Sequence, residues 1–409
     1  MKIALLTLGT RGDVQPYAVL GQALKERGHD VTLSTAKNFE SLAHHYQIKF
    51  SPVDADFQEF LETDEGKKMM RNPFRARKNL NKWVYPMIYN AMTTFYRISM
   101  ESDKVLYHIK TLGDYFADQF PEKMIRANVI PALEPTSEFV NPVFSGLHLP
   151  RFLNKFSYHV SEFWLKMMDK PIKAFRLSQG LSPGIGKPDI PGLYAISEHY
   201  LKKPMDYPGD THFTGFWTRP SLEFLDAELL NFLTQGDPPL LVTFGSMPFS
   251  GGFDISSALV KLVDALGVRL IVIKGWSIYD TSPLQDNCNV KVIDSAPYDK
   301  LFPMVKAVIN HGGIGTITSC LQAGKPFFSC PVMYPLGDQH FWATIGYHKG
   351  LALEPVPLKK LAVKSLIENV RVLLTKKQLY ENSFLMSKVL GQENGVQNAI
   401  DKIENLWEN

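Results

Sequence analysis

The period of the apolar positions changes twice within the first 35 residues. Lys2 to Leu8 (KIALLTL) form a short apolar run, and Gly9 to Gln15 interrupt it with two glycines. Pro16 to Arg27 then carry Val19, Leu20, Ala23 and Leu24 at the spacing of a buried helix face. Gly28 is placed to end that helix, and Val31 to Ser34 resume a strand. A strand–helix–strand unit of about 30 residues predicts parallel strands joined by a right-handed crossover. A second series starts at Leu240. Leu240–Phe244 reads as a strand, Gly245-Ser246-Met247 as a turn, Ile255–Leu266 as a helix, and Arg269–Lys274, Val290–Ile293 and Lys306–Asn310 as strands. Gly315–Ala323 follows as a helix and Pro326–Pro331 as a strand, and the chain is helical from Lys376.

Between the two series the pattern is different. Residues 56–130 are rich in Phe, Tyr, Met and basic residues at helical spacing, and read as inserted helices; 150–178 read the same way. Pro131–Pro142 is a loop by its prolines, and Pro188–Ser197 a loop followed by a short strand. Pro204, Pro208, Gly209, Gly215, Pro220, Gly236 and Pro238 mark a linker. Two alternating series joined in this way predict two doubly wound α/β domains facing each other, with ligands at the carboxyl ends of the strands in the cleft. At about 150 residues per domain, the 409-residue length fits two to three domains.

Composition narrows the function. The 44 Lys and Arg against 41 Asp and Glu leave a formal charge of +3, too balanced for a dedicated nucleic-acid binder. With 45% hydrophobic and 21% charged residues, disorder, collagen-like and coiled-coil architectures are excluded for most of the length. The three cysteines, Cys288, Cys320 and Cys330, have neither metal-ligand spacing nor a disulfide framework, and fit a reducing compartment. The N-terminal apolar run is too short for a signal peptide, and no stretch of about 18 apolar residues exists. The expected setting is the cytoplasm.

The strongest chemical signal is NHGGIGT, Asn310–Thr316, between a strand and a helix. Its glycines let backbone approach a ligand, and the helix start offers unpaired N–H groups and a positive dipole end. Such a loop suits a diphosphate, with His311 and Thr316 adding side-chain donors. No Gly-Lys-Ser/Thr follows, so ATP hydrolysis is not implied; a tight structural turn is the competing reading. In PLGDQHFW, Pro335–Trp342, the adjacent Asp338 and Gln339 can hydrogen-bond vicinal sugar hydroxyls. Alternatively, Asp338 is a helix cap.

HGGIGT followed by GDQ.FW resembles the C-terminal donor signature of the UDP-glycosyltransferase superfamily, in the branch of sterol glucosyltransferases and bacterial glycosyltransferases acting on antibiotics and lipids. TLGTRGDVQPYAVLGQALKERGHDVTL at the start, TGFW at 214–217, TFGSM at 243–247, IVIKGW at 271–276 and APYDKLFP at 296–303 agree with it, and the likeness is weak between about 55 and 185. The resemblance implies the GT-B architecture. Residues 1–205 would form the acceptor-binding N-terminal domain, 206–237 the linker and 238–385 the nucleotide-sugar domain, with 386–409 a helix packing back on the N-terminal domain.

The same resemblance assigns roles. His311, Gly312, Gly313, Gly315 and Thr316 would bind the donor diphosphate, with Ser246 helping from the opposite side. Asp338 and Gln339 would bind the donor sugar, and Trp276, Ala296 and Tyr298 would surround the base. A helix dipole in place of a cation implies no metal and no cofactor beyond the UDP-sugar substrate. Thr10, Arg11 and Gly12 would form the acceptor loop, and Asp13 would be the general base for an inverting transfer. On the residues alone, Asp13 caps a helix starting at Pro16 or pairs with Arg11. His340 stands where the family often has Pro, and Asn310 where many relatives have a second His.

Lys67–Trp83 carries seven basic residues and no acidic one, so it is either a peripheral membrane contact or a solvated segment. His29 reads as a turn residue, and the His44–His45 pair lacks a third metal ligand. The expected enzyme transfers a hexose, glucose first, to a lipophilic hydroxyl (sterol, terpenoid, polyphenol or glycolipid), working as a monomer or weak dimer without nucleic acid. The alternatives are an epimerase or hydrolase of the same fold and a non-catalytic nucleotide-sugar binder.

Overall fold

The computed structural model describes residues 1–54, 82, 84–166, 168–184, 189–245, 253–275 and 280–408. The described strands form two parallel sheets. The first has the order β3-β2-β1-β4-β5-β6-β7, with β1 Lys2–Leu6, β2 Asp30–Ala36, β3 Lys49–Val53, β4 Lys104–Tyr107, β5 Met124–Asn128, β6 Gly192–Tyr194 and β7 Thr211–Phe213. The second has the order β10-β9-β8-β11-β12, with β8 Leu240–Thr243, β9 Leu270–Ile273, β10 Val290–Ile293, β11 Val308–Asn310 and β12 Phe327–Ser329. Both are doubly wound. Strand order reverses between β1 and β4 in one sheet and between β8 and β11 in the other, and the crevices at these two reversals are where such sheets bind ligands.

Helices of eight or more residues are numbered here. Helix α1 (Arg11–Glu26) buries Val14, Tyr17, Ala18, Leu20 and Leu24 against one face of the first sheet. Helices α2 (Tyr85–Glu101) and α4 (Asp169–Ser178) cover the other face through Met92, Phe95, Ile172 and Phe175, and α3 (Asn154–Lys166) is tied through Asn154 and Ser157 to the loop at 137–141. In the second domain α5 is Ala227–Thr234, α6 Ile255–Leu266, α7 Ile314–Gln322, α8 Gln339–His348, α9 Val363–Thr375 and α10 Lys377–Leu390. The neighbouring strands β8 and β9 are buried along their whole length and nearly all apolar (LLVT, LIVI), as expected when both faces are covered.

Three sequence-based expectations need correction. Residues 56–130 are not purely helical, because β4 and β5 lie there, hidden by their brevity within an aromatic-rich stretch. Helix α1 begins at Arg11 rather than Pro16, which lies inside it. The 206–237 stretch is not a free linker. It supplies the edge strand β7, and Phe216, Leu229 and Leu233 enter a core shared with Leu241, Ile273 and Trp342.

The last helix, α11 (Gly395–Glu408), returns to the N-terminal domain and buries Val396, Ala399, Ile400 and Ile403 beside α1. The TGFW segment receives it. Asn398 Nδ2 donates to the Thr214 carbonyl at 3.1 Å, and Ser197 Oγ donates to Glu393 at 2.9 Å. No helix among the described residues is long and apolar enough to cross a membrane. Most of Lys67–Trp83 lies outside the described residues.

Candidate functional site

Asp13 lies at the carboxyl end of β1, in the first turn of α1, and is 4% exposed. Its Oδ2 accepts from the Thr10 backbone N–H at 2.8 Å and from the Thr10 hydroxyl at 3.3 Å. Gly9, with φ +137°, permits this approach: a Cβ there would come within 2.1 Å of Oδ2. The other oxygen, Oδ1, accepts from Lys110 Nζ at 2.6 Å. Asp13 therefore caps the helix, but it pairs with Lys110 rather than with Arg11, whose Nε donates to Gln15 at 2.9 Å. Burial pushes the Asp13 carboxyl up, but the Lys110 ammonium and the Thr10 hydrogen bond outweigh it and hold the group below its ordinary value.

The loop leaving β4 supplies Lys110 and was not legible as a site element. His108 Nδ1 accepts the Lys110 backbone N–H at 3.2 Å, and Thr111 Oγ1 donates to the His108 carbonyl at 2.7 Å. Ile109 N–H donates to Asn128 Oδ1 at 3.2 Å, tying the loop to β5. Burial lowers the His108 pKa to about 3, so the ring is neutral, and its Nε2 has no partner.

Across the cleft, the glycine loop follows β11 and opens α7. Asn310 Oδ1 accepts from Gly312 N–H at 2.7 Å and from Ser329 Oγ at 2.8 Å, so this departure from a second histidine has a structural role. Gly313 is the N-cap and makes no side-chain cap. Gly313, Ile314, Gly315 and Thr316 thus present a helix start with its first amides free for an anion. His311 is 8% exposed, its Nδ1 has no partner, and burial lowers its pKa to about 4. A Cβ at Gly313 would lie 2.3 Å from His311 Nε2, so the ring packs directly on the loop backbone.

The candidate sugar-binding pair, Asp338 and Gln339, also has structural partners. Gln339 Oε1 accepts from Val332 and Met333 N–H groups at 2.8 and 2.9 Å, which leaves its amide NH2 for a ligand. Asp338 Oδ2 accepts from Trp342 Nε1 at 3.0 Å while Asp338 stands at the N-cap of α8. Burial pushes the Asp338 carboxyl up; Lys110 pulls it down and Asp13 pushes it up further. These charges place the Asp13–Lys110 pair of one domain and Asp338 of the other in one electrostatic unit. His340 sits on the edge of this region, with ring centroids 5.3 Å from His148 and 5.4 Å from Tyr334.

Tyr298 follows β10, its hydroxyl 3.0 Å from Thr243 Oγ1 at the end of β8 and its ring stacked on Phe302 at 4.6 Å. Ala296 is half-buried beside it. Arg11 acts electrostatically on Tyr298, so the exposed head of α1, with Thr10, Arg11 and Gly12, faces this segment. Ser246 and Trp276 lie outside the described residues. Among the described residues no three His, Cys, Asp or Glu side chains converge as a metal site. His29 contacts Glu404 at 3.9 Å, and His44 and His45 contact Glu40 and Glu223 at 3.8 and 3.6 Å.

Residues 3–101 match the glycosyltransferase family 28 N-terminal domain. The sterol 3-beta-glucosyltransferase UGT80B1 of Arabidopsis thaliana is 28% identical, over 98% of this chain and 67% of that protein. The sterol 3-beta-glucosyltransferase of Debaryomyces hansenii is also 28% identical, but only 26% of its length is covered. The O-mycaminosyltylonolide 6-deoxyallosyltransferase of Streptomyces fradiae is 28% identical over 99% of this chain and 97% of that one. Among solved structures, CalG4, the calicheamicin glycosyltransferase, superposes with a TM-score of 0.70 at 16% identity, covering 100% of this chain and 98% of that one. The kitacinnamycin glycosyltransferase superposes at 0.69 with 19% identity, over 99% and 98% of the two chains. Residues 3–101 thus match a glycosyltransferase family 28 N-terminal domain, and the chain has the fold of the GT-B glycosyltransferases.

Proposed function

We propose that the protein transfers a hexose, glucose first among candidates, from a UDP-sugar to a hydroxyl of a lipophilic acceptor, with inversion and without a metal. The observation that carries this reading is the pairing of two strand-end sites. A buried carboxylate, Asp13, stands at the sheet reversal of one domain, and a glycine loop with free helix-start amides stands at the reversal of the other. The acceptor O–H would pass its proton to Asp13 as its oxygen bonds to the anomeric carbon. The bond from that carbon to the diphosphate breaks, and its electron pair leaves on the phosphate oxygen. The amides of the 313–316 turn, with His311 and Thr316, would take up the charge that develops there. Asp338 and the free amide of Gln339 would fix the sugar hydroxyls, and Tyr298 and Ala296 would border the base.

The sterol and O-mycaminosyltylonolide acceptors named for the relatives support an apolar hydroxyl acceptor. Two structural neighbours are complexes with thymidine diphosphate, so dTDP-sugars belong in the donor panel. The proposed setting is the cytoplasm, with peripheral contact to membrane-borne acceptors. The test is nucleotide release from UDP- and dTDP-sugars, with and without a panel of sterol, phenolic and glycolipid acceptors, in EDTA. Release that depends on acceptor, with a β-linked product from an α-linked donor, is expected. Release at full rate without acceptor would overturn the transferase reading in favour of hydrolysis.

A further inference from the structure

Oδ2 of Asp13 is committed to the Thr10 amide and hydroxyl, whereas Oδ1 has a single partner, Lys110 Nζ at 2.6 Å. Oδ1 is therefore the oxygen with a lone pair left for an incoming proton. The ammonium beside it comes from a loop whose backbone is pinned, although the Lys110 side chain itself is 43% exposed. The Lys110 backbone is held by His108 Nδ1, its neighbours by Asn128 and the His108 carbonyl, and the Asp13 side chain is 5% exposed where Lys110 meets it. The pair also spans the sheet reversal, because Asp13 follows β1 and Lys110 follows β4.

We infer that Lys110 is a positioning residue for transfer: its ammonium orients Oδ1 toward the acceptor hydroxyl, keeps the Asp13 carboxylate ionised in its buried site, and neutralises the repulsion between Asp13 and Asp338 when the two domains face each other. The inference rests on the proposed transferase reading for its consequence, but the pair itself can be tested without it. A buried carboxylate without a counter-charge takes up its proton at higher pH, and a protonated Asp13 cannot accept another. The groups facing Asp13 are Lys110 and His108 from the β4 loop, Thr10 and Tyr17 from its own helix, and Asp338 from the opposite domain. His108 is neutral, and its Nε2 has no partner. Lys110 is thus the cation that sets the state of the base.

The experiment compares wild type, Lys110→Met and Lys110→Arg. The pH dependence of kcat/KM is measured with the donor and acceptor that the wild type uses. Carbon-13 NMR titration of the Asp13 carboxyl follows the same variants, with Asp13→Asn to assign the signal. In Lys110→Met the acid limb of kcat/KM is expected to move up by about one to three pH units, and the carboxyl titration to move with it. Lys110→Arg should restore both toward wild type. An unmoved carboxyl titration in a folded Lys110→Met protein overturns the inference, as does a uniform rate loss with an unmoved acid limb. If Lys110→Met fails to fold, Lys110→Arg and Lys110→Gln carry the same comparison. Absence of transfer in the wild type would refute the transferase reading alone, since the carboxyl titration still decides the pair.

Discussion

Asn310 Oδ1 accepts the amide N–H of Gly312 at 2.7 Å, so the residue that ends β11 shapes the first bend of the glycine loop. The same oxygen accepts from Ser329 Oγ at 2.8 Å on the neighbouring strand β12. Both hydrogen bonds are buried, so loss of the acceptor would leave two buried donors without a partner. Asn310→Ala is expected to destabilise the protein by about 1–3 kcal/mol, the usual cost of orphaned buried donors. Nucleotide affinity, measured by calorimetry on the folded variant, should fall with it. Unchanged UDP affinity would mean that the bend forms without Asn310.

Asp13 is both cap and candidate base, and the two duties separate in Asp13→Asn. An amide oxygen can still accept from the Thr10 N–H, so thermal stability should change by no more than about 1 kcal/mol. Transfer should fall by roughly 10²–10⁴-fold, since an amide cannot take the acceptor proton. UDP binding should persist. Steady-state rates beside a UDP titration decide the matter, and transfer at the wild-type rate in Asp13→Asn would refute the base.

Gly312 has φ +88°, and a Cβ there would lie 2.6 Å from the Gln339 carbonyl oxygen. Gly312→Ala therefore combines left-handed backbone strain of order 1–3 kcal/mol with a clash that pushes α8 outward. Because Asp338 and Gln339 ride on that helix start, the donor-sugar KM should rise more than the Kd for UDP alone. Equal changes in both would place the effect in the loop only.

His108, His311 and His340 are held neutral by burial, with pKa values lowered to about 3, about 4 and about 4. The unfolded chain binds their protons near pH 6.5, so between there and pH 4 it binds more protons than the native state. Stability should thus be flat above about pH 6.5 and fall as the pH is lowered, by up to about 1.4 kcal/mol per pH unit for each histidine. Denaturant melts from pH 7.5 to 4.5 measure this slope. His311→Gln should reduce it, and a slope unchanged in that variant would show that the ring is protonated in the native state.

Much of this was legible in one dimension. The 310–316 loop is a local strand–turn–helix, with Gly at the bends and a helix start immediately after, so adjacency in sequence is adjacency in space. The second α/β series was readable for the same reason, since each apolar run is one strand and Ile255–Leu266 one helix. Residues 104–128 were not readable. KVLY and MIRAN are short strands set in aromatic-rich sequence, and a four- or five-residue run has too little periodicity to separate strand from helix.

The sequence by itself determined two α/β halves, a glycine-rich strand-to-helix turn and an acidic residue beside the first strand, because these depend on near neighbours in the chain. Only the tertiary structure decided what Asp13 meets. Lys110 is 97 residues away, and reaches it because β4 crosses over to pair with β1. That crossover is set by burial of the sheet's two faces under α1 and α11 on one side and α2 and α4 on the other. Long-range packing, not local pattern, chose the counter-charge of Asp13.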